Sequence, residues 1–100
     1  MTKDEFYKLC PEVTFRDGLL VGNDYMYKSC VANVAEGIEE DGSKWATIYT
    51  VESSEPNQGH CQTLLQWLQY RYKDYDFGCT VALNDTMRHI LQKLNIKEYN

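Results

Sequence analysis

The feature that most limits the fold of this 100-residue chain is a change of hydrophobic period at Gly59. Before it, Trp45–Val51 is a β-prone run containing Trp45, Ile48, Tyr49 and Val51. Bulky residues fall on both of its faces, as in a central strand covered on two sides. After it, Cys61, Leu64, Leu65, Leu68 and Tyr72 recur at helical spacing and predict an amphipathic helix of about three to four turns. Phe77–Leu83 then returns to strand chemistry. Strand, helix and strand in that order predict two parallel strands with a right-handed crossover over residues 45–83.

The flanking segments add antiparallel strands and two more helices. Thr2-Lys3-Asp4-Glu5 matches a capping box. Phe6, Leu9 and Cys10 give the short helix behind it an apolar face, and Pro11 stops it. Val13–Arg16 and Leu19–Gly22 flank Asp17-Gly18, a type I′ turn pair, and so predict a hairpin. Gly22-Asn23-Asp24 predicts a second turn, and Tyr25–Ala35 a strand, although Ala32–Glu36 alone also suits a helix. Gly37–Ser43 predicts another turn. Past Leu83, Asn84 or Asp85 can cap a helix whose buried face is Met87, Ile90, Leu91 and Leu94. Asn95 suits a left-handed helix exit, and Ile96–Asn100 starts a last strand. The expected fold is α+β: a mixed, largely antiparallel twisted sheet flanked by helices, in a single domain over residues 1–100.

Composition agrees and excludes several functions. Eight tyrosines and two tryptophans oppose disorder. No apolar run reaches the roughly 18 residues of a membrane span. The polar start, Met1–Glu5, lacks a signal peptide's apolar stretch, so the expected location is the cytoplasm. The cysteines stand at 10, 30, 61 and 79 with no close pair, which opposes a zinc framework and favours free, mostly buried thiols. The net charge of −5 lacks the basic footprint that nucleic acid requires. Residues 1–58 carry eleven acids against five Lys/Arg, and residues 59–100 carry four against five. That asymmetry suits a cationic substrate on one side and an anionic cofactor on the other, or simply a solvated acidic surface at Glu39-Glu40-Asp41.

The junction between the Trp45–Val51 strand and the next helix is where chemistry concentrates. A loop entering a helix aims backbone N–H groups at one point, at the positive end of the helix dipole. Gly59 allows a phosphate to approach closely.

The segment Val51-Glu52-Ser53-Ser54-Glu55-Pro56-Asn57-Gln58-Gly59-His60-Cys61-Gln62-Thr63-Leu64-Leu65 resembles the central motif of the GNAT superfamily of acyl-coenzyme A-dependent N-acyltransferases. That motif has a strand ending in Val, a short loop, Arg/Gln-x-x-Gly-x-Gly/Ala and a pair of leucines. Gly59 falls on its first glycine, and Leu64-Leu65 on the leucine pair. Asn84, followed by Leu91-Gln92-Lys93-Leu94-Asn95-Ile96-Lys97-Glu98-Tyr99, resembles the family's second motif. The resemblance covers residues 45–99. Pro56 stands in place of the opening Arg or Gln, Cys61 in place of the second small residue, and Leu91 where many members carry a Tyr general acid.

The resemblance implies a GNAT-like fold that uses acetyl-coenzyme A to acetylate an amine of a small molecule or of a protein. Backbone groups from Tyr49 to Val51 would pair with the pantetheine arm. The amides of Asn57, Gln58, Gly59, His60, Cys61 and Gln62 would hold the pyrophosphate, and Asn84 would add a contact from the second motif. Glu52 is the candidate base, acting through water, or else a solvated loop glutamate. His60 is either a phosphate contact or base, or an ordinary helix-start residue. Trp67 and Tyr70 lie off the leucine face and cover a second cluster or form an oligomer contact, such as a homodimer. The alternative function is a catalytically inactive binding module on the same fold.

Overall fold

In the computed structural model, which describes residues 13–18, 22–54, 59–80 and 85–98, four consecutive stretches pair antiparallel. They are β1 (Thr14–Asp17), β2 (Asn23–Tyr27), β3 (Cys30–Ile38) and β4 (Lys44–Ser53). The chain then forms α1 (His60–Arg71), β5 (Asp76–Cys79), α2 (Asp85–Lys93) and β6 (Lys97–Glu98). β5 joins β4 in parallel, and β6 joins β5 in parallel. The described residues are therefore α+β, with a mixed six-stranded sheet whose strand order follows the sequence. The parallel strand–helix–strand unit is present as expected. No helix among the described residues is long and apolar enough to cross a membrane.

Register sets which side chains share a face. Tyr25 sits opposite Ala32, and Ala32 opposite Val51; Val34 sits opposite Ile48, and Ile48 opposite Cys79. All of these are buried in one core with Leu64, Leu65, Trp67 and Leu68 of α1 and Met87 and Leu91 of α2. Both helices thus cover the same face. Each fully buried leucine contributes about 1.5–3 kcal/mol of apolar transfer. The opposite face of β4 is less covered: Trp45 and Thr47 are half-buried, and Thr50 and Glu52 are exposed. The expected burial of β4 on both sides is not found. Trp67 is buried in the core, its ring 5.6 Å from that of Tyr25. Tyr70 is half-buried against the same core.

Several turns differ from the sequence reading, each for a physical reason. Tyr25–Ala35 is two strands, because Lys28 takes a left-handed backbone (φ 51°) and Lys28-Ser29 makes a two-residue hairpin loop. That hairpin lacks the Gly or Asn that marks such turns. β1 pairs with β2, where Asp17 sits opposite Asn23, and Asn23-Asp24 are strand residues rather than a turn. The register lets Asp24, which is buried, accept hydrogen bonds from Asn33 Nδ2 (2.8 Å) and Arg16 Nε (3.2 Å). Gly37 lies in β3, not in a turn: a Cβ there would sit 2.6 Å from the ring of Trp45 on the next strand. β4 continues past Val51 to Ser53, and β5 ends at Cys79. The capping box at Thr2–Glu5 and the short helix behind it lie outside the described residues, as do Leu19–Val21 and Val81–Leu83.

The end of α2 follows the expected chemistry. Asn95 is left-handed (φ 59°), its N–H bonds the Gln92 carbonyl, and the Ile96 N–H bonds the Leu91 carbonyl. This is a Schellman closure, and its accompanying apolar contact is the buried pair Leu91 and Ile96. Gln69 Nε2 bonds the Leu94 carbonyl and ties α1 to that closure.

Tyr25 and Tyr72 share a buried hydroxyl–hydroxyl bond of 2.7 Å between the sheet and the end of α1. Burial and this bond push the Tyr72 phenol well above the ordinary tyrosine range, so Tyr72 stays neutral. Tyr25→Phe or Tyr72→Phe alone is expected to destabilise the protein by about 1–3 kcal/mol, because each strands a buried hydroxyl. The double variant should lose clearly less than the sum of the singles. Urea unfolding of all four forms measures this, and strict additivity would show that the two hydroxyls do not depend on each other.

Candidate functional site

The site begins where β4 and β5 part. Their parallel ladder runs from Trp45 opposite Asp76 to Ile48 opposite Cys79. The Thr80 N–H (3.0 Å) and hydroxyl (3.3 Å) then both donate to the Ile48 carbonyl. The next residue, Tyr49, is a bulge: β3 pairs Val34 with Ile48 and Asn33 with Thr50, and skips Tyr49. A bulge bends its strand and sharpens the local twist. From Tyr49 to Ser53, β4 pairs with β3 alone among the described residues. Its other edge carries strand N–H and C=O groups past the carboxyl ends of two parallel strands. Tyr49 is 42% exposed on this edge, and Val51 is buried beneath it.

α1 starts at the same end. Gly59 is its N-cap with φ 76° and ψ 2°, a left-handed conformation that glycine adopts without strain. A Cβ there would meet no atom within 4 Å, so the approach to the helix end is open. No acidic residue occupies the first turn, and Gly59 offers no side-chain cap. The first amides of any helix lack intrahelical acceptors, and here the first turn brings no carboxylate of its own to the positive dipole end.

Beside that helix start is a polar cluster that the sequence did not announce. His60 Nδ1 is hydrogen-bonded to Ser29 Oγ (2.7 Å), and Ser29 Oγ to Ser53 Oγ (3.1 Å). The edge of the Tyr27 ring meets the His60 ring at 6.0 Å between centroids. Cys61 Sγ and Cys30 Sγ are in hydrogen-bond contact at 2.7 Å. The S–H of Cys30 holds the Cys61 thiol down to about 7; burial opposes this and a bond from Ser53 adds to it. Cys30 is pushed far the other way by the same bond, by burial and by repulsion from Cys61. Of the two, Cys61 is the thiol favoured to ionise. Cys30, Cys61 and Cys79 are free thiols, and of the three only Cys61 is partly exposed.

Register explains the cluster. Cys30 sits opposite Ser53, and Tyr27 opposite Cys30, so the β2–β3 hairpin turn and the end of β4 meet under the first turn of α1. The only signal in the sequence was the Lys28-Ser29 turn, which carries no turn-forming residue pattern.

The residues expected at the site divide into three groups. Tyr49, Val51, Gly59, His60, Cys61 and Gln62 are brought to one end of the molecule by the edge of β4 and the start of α1. Asn57, Gln58 and Asn84 lie outside the described residues, as does Pro56. Glu52 is a strand residue, not a loop one; it is exposed opposite Val31 on the sheet face away from α1. Leu91 is 1% exposed in the core, so that position presents no hydroxyl.

Comparison with protein-family models, with curated proteins and with solved structures returns no match. The functional reading rests on the geometry and on the sequence motifs.

Iodoacetamide is expected to label Cys61 with a half-maximal rate near pH 7, against about 8.5 for an unperturbed thiol. Reactivity rises with pH because the thiolate is the nucleophile. Ser53→Ala should move the midpoint upward. Peptide mapping across pH 5–9 checks both; a midpoint at or above 8.5 on Cys61 would contradict the hydrogen-bond account.

Proposed function

We propose that the chain is a GNAT-like domain that binds acetyl-coenzyme A and transfers the acetyl group to an amine of a small molecule or protein. The observation that carries this reading is that α1 starts against Ser53 at the carboxyl end of β4, whose residues Thr50–Ser53 pair with β3 alone among the described residues. The amide-bearing pantetheine arm can add to Tyr49–Val51 as an extra strand would, through main-chain hydrogen bonds. The pyrophosphate fits the amides of Gly59 to Gln62, where a helix N-terminus favours anions.

In the transfer, the amine nitrogen attacks the thioester carbonyl. The carbon–sulfur bond breaks, coenzyme A leaves as a thiolate and takes a proton, and the amine loses one. Glu52 is assigned as the base, through water, because it is an exposed carboxylate on the strand that carries the open edge. A location in the cytoplasm goes with this reading.

One observation favours the second reading, a module that binds without turnover. The position where many GNAT members carry a Tyr general acid is held by Leu91, which is buried and offers no phenol there. Binding with no acetylation of any amine offered would select this reading.

Acetyl-coenzyme A at 100 times Kd is expected to raise the melting temperature by about 10–20 °C, since a ligand that binds only the folded state stabilises it by about 2.7 kcal/mol there. For a domain of this size each kcal/mol is worth about 4–8 °C. Gly59→Asn should keep the fold, because Asn tolerates the left-handed backbone, and should abolish the shift by filling the open approach. No shift at millimolar ligand would end the cofactor reading; an undiminished shift in Gly59→Asn would place the ligand elsewhere.

A further inference from the structure

We propose that Cys30 and Cys61 form a redox-active dithiol, closed to a disulfide by low-molecular-weight disulfides, with Cys61 as the attacking sulfur and Cys30 as the resolving one. Three observations on the described residues support this, and none depends on the cofactor reading. The two sulfurs are in direct contact although 31 positions separate them in sequence. They differ in access: Cys61 is partly exposed, whereas Cys30 is fully buried beneath it. Cys61 lies in the first turn of α1, and a helix N-terminus stabilises a thiolate; the Ser53 hydroxyl and the Cys30 S–H both bond to its sulfur. Cys79 is buried and has no such setting at a helix start.

The chemistry balances with oxidised glutathione as the oxidant. The Cys61 thiolate attacks one glutathione sulfur; the glutathione disulfide bond breaks and one glutathione leaves as a thiolate. Cys30 gives up its proton to that thiolate and attacks the Cys61 sulfur. The mixed disulfide breaks and the second glutathione leaves, taking a proton from solvent. The protein has lost two protons and two electrons, and one glutathione disulfide has become two thiols. Two features set the order of attack: only Cys61 can be reached from solvent, and Cys30 is held protonated until the mixed disulfide removes the negative charge beside it.

Closure would join the start of β3 to the first turn of α1, two elements that otherwise meet through side chains. It would fix the helix end covalently over the Ser29–Ser53–His60 cluster.

The test treats the full chain with oxidised glutathione at neutral pH and follows intact mass and cysteine-linked peptides. The expected product has lost two hydrogens, yields a Cys30–Cys61 cross-linked peptide and reverts with dithiothreitol. Cys30→Ser should stop at a stable glutathione adduct on Cys61, and Cys61→Ser should give neither adduct nor cross-link at these positions. Because Cys30 is buried and its variants risk misfolding, the wild-type peptide map decides alone if they fail. A map without the 30–61 cross-link, a cross-link involving Cys10 or Cys79 instead, or a glutathione adduct trapped on Cys30 in Cys61→Ser would overturn the proposal.

Discussion

The carbonyl of Ile48 is the last backbone group that β4 gives to the β5 side among the described residues, and the rest of the site depends on it. Thr80 satisfies it twice, with its amide and with its hydroxyl. Immediately afterwards Tyr49 bulges, and β4 runs on for four more residues with only β3 as a partner. Among the described residues β5 does not follow β4 beyond Ile48. The divergence is thus set by one hydrogen-bonded residue on one strand and one extra residue on the other.

The same geometry places the start of α1. The chain leaves β4 at the parting of the strands, and the helix must return over the core face to reach β5. Leu64, Leu65, Trp67 and Leu68 dock it there, fully or nearly fully buried. Docking a helix through its middle leaves its first turn at the rim, over Ser53 and the β2–β3 turn. Gly59, His60 and Cys61 therefore share one polar rim with Ser29, Ser53 and Cys30. Exposed amides, a polarised helix end and a low-lying thiol are three consequences of one packing arrangement.

Much of the frame was legible in the sequence because it rests on hydrophobic period. The leucines of α1, the buried face of α2 and the parallel crossover all follow from it, and Asn95 announced its left-handed exit. The site was legible only in outline. The motif led to Tyr49, Val51 and Gly59, but the bulge at Tyr49 is a register event, decided by how Asn33 and Val34 pair. The Cys30–Cys61 contact was hidden for a related reason. It depends on a hairpin turn made by Lys28 in a backbone conformation that its side chain does not favour. Gly37 misled in the opposite sense: it reads as a turn residue, yet it is there to let the Trp45 ring lie flat against the strand.

The central claim is that the open edge of β4 and the start of α1 act together as one ligand site. Backbone amide chemical-shift mapping of the isotopically labelled protein, titrated with acetyl-coenzyme A, tests it most directly. The account predicts that saturable shifts concentrate on Tyr49 to Val51 and on Gly59 to Gln62, with β1 and the Lys28-Ser29 turn less affected. Shifts confined to other surfaces, such as β1 or the β5–β6 end, or saturable shifts at the α1 start that leave Tyr49–Val51 unmoved, would contradict it.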